Sequence, residues 1–136
     1  MHAKRLTDQL FVAAQLLPGD MPRARALGFD LIINNRPDGE GQQQPSAAQI
    51  ASAAQASGLR AVHIPVIASS IDPAHVAAFG QALQREGKVL AFCRTGTRST
   101  MLWALAQVGA LPAADLRRIA ERAGYDISAL APRLGH

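Results

Sequence analysis

The chain has 136 residues, of which 49% are hydrophobic and 18% charged, with a formal net charge of +4. This is the composition of a globular protein, and the length suits a single domain with its own core, expected over residues 1–136. The positive charge is mild and spread along the chain, which argues against a nucleic-acid partner, and no apolar run approaches the roughly 20 residues needed to cross a bilayer.

In chain order, Leu10-Phe11-Val12 reads as a first strand at the edge of a sheet. Asp20 is placed as a helix N-cap, with Pro22 in the first turn and Gly28 as the stop. The continuous apolar run Leu31-Ile32-Ile33 marks a strand buried on both faces, and it ends in the polar, turn-rich stretch from Asn34 to Gly41. Ser46-Ala47-Ala48-Gln49 is a capping box that starts a helix running to about Gly58. Ala61-Val62-His63-Ile64 is the next strand, stopped by Pro65. Asp72-Pro73 opens a helix with Val76, Phe79 and Leu83 at helical spacing, and Lys88 to Phe92 forms another strand. A helix from about Ser99 to Val108 is apolar nearly all round and is expected to be central. A last helix follows Pro112 and stops at Gly124. Strands alternating with helices define an α/β fold, with a mainly parallel central sheet and helices on both faces. In such a sheet ligands bind beyond the carboxyl ends of the strands.

Cys93, the single cysteine, lies at such an end, within Phe92-Cys93-Arg94-Thr95-Gly96-Thr97-Arg98-Ser99. The positive end of the following helix and the loop N–H groups stabilise a thiolate and hold an anion beside it. Gly96 lets the backbone turn its N–H groups inward, and Arg98 offers a planar fork to an oxyanion. Residues Arg94, Thr95, Gly96, Thr97, Arg98 and Ser99 therefore form the candidate anion cradle. Ser99 either bonds the sulfur or caps the helix, and Arg94 reads equally well as a solvated surface charge. A buried, inert cysteine would need none of these neighbours. With no second cysteine there is no internal disulfide, and the expected location is the cytoplasm, since residues 1–8 lack the apolar segment of a signal peptide.

The loop and its place between strand and helix resemble the cysteine-dependent phosphatase superfamily. More narrowly, the chain resembles the bacterial beta-lactamase-hydrolase-like, phosphatase-like domain family. Gln15, the run from Ile32 to Asp38, His63-Ile64-Pro65-Val66, and Cys93 to Ser99 with Leu102-Trp103-Ala104 carry that resemblance. It implies a dual-specificity phosphatase-like fold with Cys93 as nucleophile and Arg98 as the anion-binding arginine, acting on a phosphorylated or other small anionic substrate.

Two features keep a second chemistry open. Four residues separate Cys93 from Arg98, one fewer than in protein tyrosine phosphatases, and Phe92 stands where those enzymes have histidine. A loop of this length is similar to that of rhodaneses, which implies a persulfide on Cys93, a sulfane-sulfur donor and an acceptor thiol; a non-catalytic anion-binding module is the third reading the loop allows. The general acid is also unsettled: Ile67-Ala68-Ser69-Ser70 carries none, which leaves Asp72, also a natural N-cap, and Asp38, also a turn-former. Arg36 is expected to orient the Asp38 loop or to pair with a carboxylate, and His63 to be a core or interface histidine. The other histidines, His2, His75 and His136, show no metal-ligand spacing, and no cofactor motif is present.

Overall fold

The computed structural model describes residues 1–85 and 87–135, so His136 lies outside the described residues. The order of elements is β1 (Lys4–Arg5), β2 (Leu10–Ala13), α1 (Met21–Ala26), β3 (Leu31–Asn34), α2 (Ala47–Ala56), β4 (Arg60–His63), α3 (Pro73–Leu83), β5 (Val89–Phe92), α4 (Thr97–Ala106) and α5 (Ala113–Ala123). Short 3-10 turns cover Pro18–Asp20 and Ser128–Arg133. The strands lie in the order β1-β2-β5-β3-β4. All neighbours are parallel except β1 and β2. The expected α/β architecture, a mainly parallel sheet with helices on both faces, is therefore present.

Side chains alternate across the sheet and so divide the core in two. Leu31 and Ile33 of β3 and Val89 and Ala91 of β5 join Phe79, Leu102, Trp103 and Leu116 under α3, α4 and α5. Ile32, Leu90 and Phe92 point the other way and meet Met21, Phe29 and Ile50 under α1 and α2. β3 and β5 are buried at every position, which is why their sequences read as unbroken apolar runs rather than as alternation. Truncating a fully buried aromatic such as Phe79 to alanine would cost about 3–5 kcal/mol.

The sequence reading needs three corrections. Leu10-Phe11-Val12 is not an edge strand: β1 pairs outside it, with Lys4 opposite Val12 and Arg5 opposite Phe11. Two exposed basic residues carry no apolar signal, so this short strand was invisible. α4 begins at Thr97, not at about Ser99, which brings Arg98 into the first helical turn and leaves only Cys93 to Gly96 as loop. His63 is neither core nor mid-strand but the exposed last residue of β4, where its Nε2 lies 2.9 Å from the Arg36 carbonyl oxygen.

Candidate active site

β5 is central, flanked by β2 and β3, and every chain leaving these strands at their carboxyl ends enters one region. Asn35 ties it together. Its N–H donates to the Phe92 carbonyl at 2.8 Å. Its side-chain amide donates to Ile64 O at 2.9 Å, and its Oδ1 accepts from Ser99 Oγ at 2.8 Å. This buried amide links the exits of β3, β4 and β5 to the first turn of α4. The Ser99 hydroxyl is thus spent on Asn35; it neither touches the sulfur nor caps the helix, whose N-cap is Gly96.

Cys93 follows β5 directly and is fully buried. Its sulfur accepts the Gly96 N–H at 3.1 Å, so the loop closes around the sulfur. Gly96 adopts φ +99°, a left-handed conformation that side chains resist. A Cβ there would also run into the Tyr125 ring, 2.8 Å from Cζ. Tyr125 lies just beyond the end of α5 and braces the loop from behind. Burial raises its hydroxyl pKa, and negative charge at Cys93 adds to the shift. The Thr95 and Thr97 hydroxyls bond each other at 3.1 Å at the exposed side of the loop.

Arg98 is held from two sides. Its Nη1 and Nη2 donate to the two oxygens of Glu40, both at 2.7 Å, and Nη1 donates a second time to Val66 O at 3.0 Å. A guanidinium has five hydrogens in a fixed plane, and these bonds use three. Among the described residues, the Nε–H and the outer Nη2–H stay free of carboxylate and carbonyl partners. They lie on one edge and form a bidentate fork. The guanidinium also feels Cys93: Glu40 is the chief cause of its raised pKa, but the charge and hydrogen bonding of the sulfur contribute.

Glu40 is the residue of this candidate site that sequence reasoning missed. Its carboxylate also accepts Arg36 Nε at 2.9 Å, and Arg36 Nη1 reaches Gln15 Oε1 at 2.9 Å. Arg36, expected to pair with some carboxylate, pairs with this one. Hydrogen bonding to Arg98, then to Arg36, overcomes the cost of burial and lowers the Glu40 pKa from its ordinary 4.5 to about 2. Glu40 is therefore ionised at any physiological pH and has no proton to give. The available signals were its spacing four residues after Arg36 and its place between two glycines in a loop at the carboxyl end of the sheet.

A cleft of about 480 Å³ opens over these groups, lined by Arg36, Glu40, Ile67, Ala68, Arg94 and Arg98 among others. Arg94 is exposed at its mouth. Neither aspartate lines it. Asp38 Oδ1 accepts the Ala47 N–H at 2.7 Å at the start of α2. Asp72 is the N-cap residue of α3, where its N–H donates to His75 Nδ1 at 3.0 Å. The structure brings Cys93, Arg98, Arg36 and Arg94 together and places Asp38 and Asp72 at helix ends.

A parallel sheet whose central strand runs into a cysteine, a tight glycine turn and a helix-borne arginine defines the cysteine-phosphatase class of folds. The comparisons agree. The model of the family described as beta-lactamase hydrolase-like protein, phosphatase-like domain, matches residues 2–110. The chain belongs to this family. A beta-lactamase hydrolase-like protein of Agrobacterium fabrum is 38% identical over 132 residues, covering 95% of this chain and 31% of that protein. The chain thus spans about a third of the length of the curated relatives it matches. A crystal structure of a candidate phosphatase from Neisseria meningitidis is 36% identical with a TM-score of 0.86, covering 96% of this chain and 94% of that one. At 20% identity and a TM-score of 0.59, P. aeruginosa TpbA, solved in complex with phosphotyrosine, shares the fold; the match covers 98% of this chain and 72% of that one.

Proposed function

We propose that this phosphatase-like domain is a cysteine-dependent hydrolase of phosphomonoesters. The observation that supports the reading is that Arg98, which lines a cleft with Arg36 and Arg94, also interacts with the buried Cys93 sulfur beneath it. In this reading the Cys93 thiolate attacks phosphorus and the S–P bond forms as the P–O bond to the leaving group breaks. The free Arg98 fork and the loop N–H groups bind the equatorial oxygens, where charge is greatest in the transition state. Water then cleaves the thiophosphoryl intermediate and regenerates the thiolate. The phosphotyrosine held by TpbA makes an aryl phosphate a reasonable test substrate.

The same geometry favours a second reading on a specific ground. The only carboxylate lining the cleft among the described residues is Glu40, which is held ionised. A leaving group must then depart without a proton from this wall. An aryl oxide does so tolerably and an alkoxide poorly. Sulfite leaving from thiosulfate needs no proton at all, and its transfer would place a sulfane sulfur on Cys93 for an acceptor thiol. The four-residue spacing between Cys93 and Arg98 points the same way. The family resemblance keeps phosphomonoester hydrolysis first.

Intact mass of the purified protein, quenched in acid after incubation with p-nitrophenyl phosphate or with thiosulfate, separates the readings. A phosphoryl adduct that disappears in Cys93→Ser supports hydrolysis. One added sulfur atom, with no aryl phosphate turnover, establishes the second reading. No adduct and undiminished turnover in Cys93→Ser would remove the reaction from this loop altogether.

A further inference from the structure

The arginines that line the cleft are not used alike. Arg36 bonds Glu40 and Gln15, and Arg98 bonds Glu40 and the Val66 carbonyl. Arg94 lines the same cleft, yet its side chain is exposed and makes no hydrogen bond or ion pair among the described residues. The residue itself is held in place. Its carbonyl accepts the Gln15 N–H at 3.2 Å, which ties the loop to the chain leaving β2. Arg94 is thus a fixed point of attachment for a guanidinium whose charge the fold leaves unmet.

The chemistry of the proposed reaction gives that charge a position relative to the substrate. The Cys93 sulfur is fully buried, whereas Arg94 is exposed at the mouth. In-line displacement at phosphorus puts the leaving group opposite the attacking atom. A substrate seated on the buried sulfur therefore projects its leaving group outward, toward Arg94 and toward Ile67 and Ala68 on the cleft wall. Ile67 is 50% exposed and offers that group an apolar surface. The cleft, about 480 Å³, has the size of a small-molecule site.

From this juxtaposition we infer that the cleft selects a small phosphorylated acid, a phosphomonoester whose leaving group carries a carboxylate. The inference rests on the phosphomonoesterase reading above and names its substrate class. Arg94 is then a specificity-determining residue: its planar fork meets the carboxylate with two parallel donors, while the carbon skeleton lies on Ile67 and Ala68. Because Arg94 is exposed, the pair is weaker than a buried one and is screened by salt.

The test measures binding by calorimetry to the Cys93→Ser protein, so that ester reactivity does not enter. The probes are ortho-, meta- and para-carboxyphenyl phosphate, each set against the carbamoylphenyl phosphate of the same geometry, which keeps the shape and loses the charge. At low salt at least one carboxyl isomer should bind about tenfold tighter than its carbamoyl counterpart. That ratio should fall toward unity when Arg94→Gln is added, return in part with Arg94→Lys, and shrink as salt rises. Should Arg94→Gln not fold, Arg94→Met replaces it. Turnover of phenyl phosphate by the unsubstituted protein reports on the underlying reaction separately: an Arg94-dependent ratio without any turnover would support the acid site and strike the hydrolase. Equal binding within every pair of probes, a preference undiminished in Arg94→Gln, or no binding of any probe would overturn the proposal.

Discussion

The two walls of the cleft over Arg98 are built to different standards. On the β5–α4 side nearly every polar group is committed: the Gly96 N–H to the sulfur, Ser99 to Asn35, Thr100 Oγ1 to Gly96 O, and Arg98 to Glu40 and Val66. On the opposite side, residues 67–70 are all exposed, and the bond from Ser70 N–H to Ile67 O holds that turn. In the proposed reading the first wall is pre-organised to receive an anion, which is where electrostatic catalysis gains most. The second presents Ile67 and Ala68, which can cover a substrate but donate no proton. In the proposed reading the two sides divide two tasks, and the domain holds charge at the reacting centre without protonating what leaves.

The largest effect should come from the buried Cys93. Cys93→Ser keeps the shape but replaces the proposed sulfur nucleophile with a hydroxyl, a far weaker one, so turnover with either substrate should fall by at least about 1,000-fold. Steady-state assay of the purified variant, with circular dichroism to confirm folding, checks this. Turnover within tenfold of the parent would mean that the well-ordered wall serves binding alone. Arg98→Lys comes next. A lysine supplies one point charge where the fork supplies two parallel donors, and it cannot keep both the Glu40 pairing and the substrate. A loss of about 100-fold in kcat/KM is expected, in line with removing one preorganised donor of a transition-state anion.

Glu40→Gln tests whether the brace behind Arg98 matters in its own right. Glutamine can still accept one hydrogen bond but brings no charge to the two arginines. The expected loss in kcat is about tenfold, smaller than for Arg98 itself, because the fork remains while its orientation loosens. Stability adds a readout independent of catalysis. The folded pKa of Glu40 is about 2, below the ordinary 4.5. A lowered carboxylate pKa means that the unfolded chain binds the proton more readily. The stabilisation is therefore complete above about pH 4.5 and fades as pH falls toward 2. Melting curves of the parent and of Glu40→Gln should differ most near neutrality and converge between pH 4.5 and 2. A constant difference across that range would show that the carboxylate charge does not stabilise the fold.

How much of this was legible in the sequence follows from the range of each interaction. The strand runs Leu31-Ile32-Ile33 and Val89-Leu90-Ala91-Phe92, the capping box at Ser46 and the glycine stop at Gly124 are local signals, and each element stands where they put it. Cys93 was legible for the same reason, since strand, loop and helix N-terminus are contiguous. Glu40 was not. Its decisive partner is 58 positions away, and its immediate neighbours describe only a turn. Asn35 was part of a recognisable run, but its role as a buried hub depends on Ile64 and Ser99, which only the folded sheet brings near. Tyr125, behind Gly96, likewise belongs to a contact between the end of α5 and a loop that precedes α4. The sequence pointed to Asp38 and Asp72 because acids near turns are visible one residue at a time, and the folded chain places each at a helix end.

Those two aspartates give the smallest predicted effects and the sharpest check on the contrast between the walls. Asp38 accepts an N–H at the first residue of α2, and Asp72 precedes Pro73 at the start of α3. An asparagine keeps most of the capping capacity of an aspartate and loses only its favourable charge at the helix N-terminus, so each Asp→Asn change should cost less than about 1 kcal/mol of stability. Turnover should stay within about threefold of the parent for aryl and alkyl phosphates alike, far from the 100-fold scale of a lost general acid. The comparison between substrates is what decides. A missing acid slows an alkyl phosphate much more than an aryl one, because only the alkoxide needs the proton, whereas a weakened cap slows both equally. An alkyl-selective loss in Asp38→Asn or Asp72→Asn would mean that the aspartate reaches the cleft during turnover and that the sparse wall is completed only when substrate binds.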